Sequence, residues 1–145
     1  MTPRRLDKQI VTRRLHALHE TLDQLRSLDG TTASQLESDP VLRAAAERFL
    51  QVSIDLAIDI NAHLVSAIEG VAPESGRDSF LRLAELGVLD EAAANVLAPC
   101  SGFRNVLVHR YTDIRVELVA QAIADALARF PHYATAIATF VASQS

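Results

Sequence analysis

Cysteine is nearly absent from this chain: Cys100 is the single thiol among 145 residues. No intrachain disulfide can form, so the fold must rest on packing alone. Long apolar runs are missing too. No stretch of about 18 consecutive apolar residues occurs, and the opening MTPRRLDKQIVTRRLHAL carries no apolar core of signal-peptide length. The expectation is a cytoplasmic protein without a membrane partner. Glycine is scarce and scattered, five in all, with neither a GxGxxG pattern nor a P-loop lysine. That removes the usual phosphate-cradling loop and with it an ATP-binding role for this chain. Positive charge is not in excess: the net charge is −4 and the pI about 5.7. A surface coated in phosphate-binding residues is excluded, and any nucleic acid must be held at a local site. Arg4, Arg5, Lys8, Arg13 and Arg14 cluster early, at a helical spacing that reads as a solvated face.

What is present is helix. Apolar residues make up 49% and charged residues 22%, the balance of an ordinary globular protein, and the length fits one domain over 1–145. Leu6, Ile10, Leu15, Leu18, Leu22, Leu25 and Leu28 recur every three to five residues, one face of a first helix over 5–28. GTTASQLESDP gathers loop formers and predicts a connection, with Asp39 as N-cap and Pro40 at the first position of a long second helix reaching Ile68. A short helix over 78–86 should end at Gly87, and Asp90 should cap the next. Pro99 predicts a kink between Ala94 and Gly102, Asp113 should cap a last helix, and Pro131 should bend or split it. No segment alternates with period two between turn residues, and no repeat is visible. The expected fold is all-α: an antiparallel up-and-down bundle of about four long helices with one short helix inserted.

The chemistry concentrates in FRNVLVHRY, residues 103–111. Arg104 offers a permanent cation whose planar fork matches a phosphate, and His109 can take and give a proton near neutrality. The pair suits phosphodiester cleavage in RNA, where the neighbouring 2′-OH is the nucleophile and no metal is needed. At about 100° per residue, Arg104 and Tyr111 fall on nearly one face, whereas His109 points about 140° from Arg104. Two arrangements could reconcile this. Either the helix ends near Val108 and the histidine turns back, or the site combines motifs from two subunits of a C2 dimer. Read as structure alone, Arg104 would pair with a carboxylate of the second helix, His109 would sit at a helix C-terminus and Tyr111 would pack.

The nine residues match the R–x4–H–x–Y motif, and the second helix reads ERFLQVSIDLAIDINAHL. Together with the length, these make nearly the whole chain resemble the HepT toxins, members of the HEPN superfamily of small helical ribonucleases. The resemblance implies an all-α homodimer whose two motifs meet in a cleft that cleaves RNA. It implies Arg104 and His109 as the catalytic pair, with Asn105 orienting His109 and Asp59 as the supporting acid of the second helix. It further implies that Tyr111 receives AMP from a nucleotidyltransferase antitoxin of the MntA kind, to which any ATP and Mg²⁺ belong; this chain itself would carry no cofactor. An AMP group two residues from His109 would fill the cleft as an anionic mimic of substrate. A different class of function uses the same residues: a non-catalytic helical adaptor that binds and regulates a nucleotidyltransferase, with Tyr111 and Arg104 as interface anchors.

The remaining candidates carry less. Asp55, Asp59 and His63 share a helical face at metal-ligand spacing, yet two carboxylates and one imidazole fall short of a metal site. Ion pairing with Arg104 is the better use of an acid there. His16 and His19 read as surface residues, His132 as a residue at the Pro131 bend, and Cys100 as a buried, inert thiol.

Overall fold

A computed structural model describes residues 5–109 and 114–144. Seven helices occupy these residues, and no strand is found among them. They are α1 (Lys8–Arg26), α2 (Ala33–Ser38), α3 (Pro40–Glu69), α4 (Gly76–Glu85), α5 (Glu91–Leu97), α6 (Cys100–His109) and α7 (Val116–Ser143). The all-α expectation holds, with the expected fourth long helix divided in two.

Helix α3 is the spine. The Asp39 side chain accepts from the Leu42 N–H, Pro40 stands in the first turn, and Gly70 closes the far end, so both limits are set locally, by neighbouring residues. Ala46, Leu50, Ile54, Ala57, Ile60, Leu64 and Val65 are buried along it, and α1, α2, α4, α6 and α7 all pack against it. Fully burying one leucine of this row contributes roughly 1.5–3 kcal/mol. Truncating Leu64 to alanine would cost about 2–5 kcal/mol.

One expectation is corrected outright, and another, that Pro131 bends or splits the last helix, in its second half. The 30–40 segment is not only a loop: Thr32 and Gln35 form a reciprocal capping box that starts α2, and Leu36 beneath it is fully buried. Pro131 does not split the last helix, because α7 runs unbroken past it. The proline removes one backbone donor, whereas Phe130, Tyr133, Ala134 and Ile137 on both sides of it are buried, and that burial outweighs one lost bond. The residue at the N-cap of α7 is Arg115; the expected cap, Asp113, lies outside the described residues.

Pro99 does act as expected. Helix α5 stops at Leu97, and a fresh helix begins at Cys100 with the Gly102 and Phe103 N–H groups donating to the Pro99 carbonyl. Gly87 lies in the left-handed region at φ 77°, and Val88 N–H donates to the Leu83 carbonyl at 2.9 Å, the closure that ends α4. Within the core, Tyr133 Oη donates to the Ala57 carbonyl and Asn61, whose amide in turn donates to Ser79, tying α7, α3 and α4 through buried polar groups. No described helix is long and apolar enough to cross a membrane.

Candidate active site

Helix α6 is held to the body through Cys100, Phe103 and Leu107, which recur at three and four residues and so share one face. Its seat is close. A Cβ on Gly76, at the start of α4, would lie 2.8 Å from Ile58 Cδ1 on α3 and 3.0 Å from Ser101 Cβ on α6. Only glycine lets these three helices approach so nearly. Phe103 and Cys100 also line an apolar hollow of about 240 Å³ between α3 and α7, with Leu50, Ile54 and Phe130.

With α6 seated this way, Arg104 reaches α3. Its Nε donates to Asp55 Oδ1 at 2.6 Å, both side chains being about one-third exposed (33% and 34%). Its Nη1 approaches Asn105 Oδ1 at 3.5 Å. The carboxylate that meets Arg104 is therefore Asp55, not Asp59, which is exposed. The reason is angular: Cys100 and Phe103 of α6 lie beside Ile54 of α3, and Asp59 lies about 40° further round the α3 wheel than Asp55 and one turn along it. Helical spacing alone does not choose between Asp55 and Asp59, one turn apart on α3. His63, the third member of the candidate metal trio, accepts a hydrogen bond from the Asp7 N–H at 3.1 Å, so Asp55 and His63 are turned to different partners.

His109 is exposed and is the last residue of α6. The backbone is still helical at this position, and no hydrogen bond between His109 and Arg104 is found among the described residues. The two residues sit five positions apart on one continuous helix, about 7.5 Å along the axis and about 140° around it. Asn105 is exposed and accepts from Arg104 Nη1; no hydrogen bond from Asn105 to His109 is found among the described residues. Tyr111 lies outside the described residues.

The other candidates resolve plainly. His16 is exposed and pairs with Glu20 at 3.0 Å, and His19 is exposed. Burial pushes the Cys100 thiol up to about 12, with Arg129 only partly opposing, which leaves it a poor nucleophile.

The arrangement offers a guanidinium held at Nε by a carboxylate and an exposed imidazole about one and a half turns further along the helix. Known proteins are similar to the chain as a whole. The family model described as ribonuclease HepT-like matches residues 18–137. The tRNA nuclease HepT of Aphanizomenon flos-aquae is 31% identical over 136 residues, covering 94% of this chain and 92% of its own length. The mRNA nuclease HepT of Shewanella oneidensis is 24% identical over 124 residues, covering 86% and 92%. The tri-AMPylated Shewanella oneidensis HEPN toxin, solved in complex with an MNT antitoxin, superposes with a TM-score of 0.80 over 90% of this chain and 97% of that chain. Its identity is 24%, so the likeness there concerns the fold. Taken with Arg104 and His109 on α6, the match over 18–137 and the long alignment to a relative above 30% identity place this chain in the ribonuclease HepT-like family.

Proposed function

We propose that this chain, a HepT-like ribonuclease of the toxin class, cleaves RNA at a site that two copies assemble, Arg104 of one copy facing His109 of the other. The observation that carries this reading is that both residues stand on one unbroken helix and point about 140° apart. A two-fold axis beside α6 would set the same patch of both copies face to face and bring unlike residues together.

In such a cleft the roles divide by chemistry. His109 removes the proton of a ribose 2′-OH, the freed oxygen attacks the adjacent phosphorus, and the bond to the 5′ oxygen breaks. An imidazolium returns a proton to that leaving oxygen, giving a 2′,3′-cyclic phosphate and a 5′-hydroxyl. Arg104 holds the non-bridging oxygens through its fork as charge builds on them. Asn105, exposed on the same helix, borders the pair. These steps use only side chains of the protein, and no cofactor is assigned to this chain.

The reading extends to control. A nucleotidyltransferase antitoxin, with its own ATP and Mg²⁺, transfers AMP to Tyr111: the phenol oxygen attacks the α-phosphorus and pyrophosphate leaves. Support comes from the Shewanella relative, which was found AMPylated in complex with its antitoxin. The added phosphate would occupy the place of substrate, two residues from His109.

The experiment is direct. Purified protein is incubated with transfer RNA in EDTA, beside His109→Ala. Cleavage by wild type and none by the variant is the expected result; equal cleavage by both removes the assignment, and no cleavage by either favours an adaptor role.

A further inference from the structure

We infer that Asp55 is a positioning residue for Arg104, an assignment that rests on the ribonuclease reading above and names a residue it did not require. The geometry is specific. Asp55 Oδ1 takes the Nε hydrogen of Arg104 at 2.6 Å, which is the inner edge of the guanidinium. With Nε held by Asp55 and Nη1 lying 3.5 Å from Asn105 Oδ1, the plane of the group is set, and the remaining Nη hydrogens of the outer edge can meet a phosphate. A pair one-third exposed contributes little to stability. Its value therefore lies in orientation, since a misplaced catalytic group can cost about 100-fold in rate.

The opposite effect has to be weighed. A carboxylate beside a cation also weakens the field that draws RNA in, and removing it would then tighten binding. The two effects separate kinetically: orientation acts on kcat, charge damping on KM. Asp59, one turn along α3 and exposed, feels the same helix and nearly the same solvent but does not touch Arg104. It supplies the control.

Steady-state cleavage of transfer RNA is measured for Asp55→Asn, Asp55→Ala, Asp59→Asn and Arg104→Lys, with circular dichroism and a thermal melt for each. Asp55→Asn keeps an acceptor and the shape, so kcat should fall about 10-fold, and Asp55→Ala about 100-fold, with KM nearly unchanged. Asp59→Asn should match wild type. Lysine has no Nε, so Asp55→Asn should add less than about threefold to the loss already caused by Arg104→Lys. An unchanged or raised kcat in Asp55→Asn, or additive losses with Arg104→Lys, overturns the inference while leaving the ribonuclease reading intact. Undiminished cleavage by His109→Ala and Arg104→Ala would overturn both.

Discussion

Arg104 and His109 belong to one helix, α6, and by belonging to it are kept apart: five residues of regular helix turn one about 140° from the other. Arg104 leans onto α3 and is gripped by Asp55, whereas His109 faces solvent at the helix end. The chain thus displays a cation and a base in two directions. In the proposed dimer, a second copy related by a two-fold axis would convert that separation into proximity.

The first consequence concerns the fork. Arg104→Lys preserves the charge but removes both the bidentate edge and the Nε that Asp55 holds. Cleavage of transfer RNA should fall by about 100-fold, the scale of losing a well-placed electrostatic donor. A gel-based time course measures it. Activity within a few-fold of wild type would show that a point charge suffices.

Tyr111 gives the second. Incubation with the cognate nucleotidyltransferase and ATP should raise the intact mass by one or more AMP units and silence cleavage. Tyr111→Phe should gain no mass and stay active in the presence of the partner. A full mass gain by the phenylalanine variant would move the modification elsewhere.

Gly76 gives a third, remote from the chemistry. Alanine usually favours a helix over glycine by about 1 kcal/mol. Here its Cβ would press on Ile58 and Ser101, and overpacking of this kind costs about 1–3 kcal/mol. Gly76→Ala should lower the melting temperature and, by tilting α6 away from α3, lower kcat as well. A stabilised and fully active variant would mean that the three-helix contact is slack.

Cys100 supplies a test with a pH sign. Burial raises its folded pKa from 9.0 to about 12, so the thiol is protonated in the native state where an unfolded one ionises. Its contribution to stability is present in full below pH 9 and is lost as pH climbs toward 12. Iodoacetamide at pH 8 should modify native Cys100 about a thousandfold more slowly than the urea-unfolded chain. Equal rates would place the thiol in water.

Much of this was written locally in the chain. Asp39, Pro40 and the glycine after Glu69 delimit α3 almost to the residue, because caps act through neighbouring backbone groups. Pro99 announced the break before α6 for the same reason. What local reading could not supply was anything decided by contact at a distance. Thr32 and Gln35 spelled a capping box, yet the segment holds as helix with Leu36 sealed in the core. Pro131 looked like a breaker, and tertiary burial on both sides carried α7 through it. Asp55 and Asp59 are equivalent in sequence pattern; only the angle at which α6 crosses α3 tells them apart. The motif itself was legible at once, and the unlike directions of its two ends followed from helical geometry once α6 proved continuous to His109.

Mixing settles the central claim. Arg104→Ala and His109→Ala are purified separately, each inactive on transfer RNA, then combined, briefly unfolded and refolded together so that subunits exchange. If Arg104 of one copy works with His109 of the other, half of the dimers are mixed and each rebuilds one of its two sites, restoring about a quarter of wild-type activity. A mixture as inactive as its components would contradict the shared cleft.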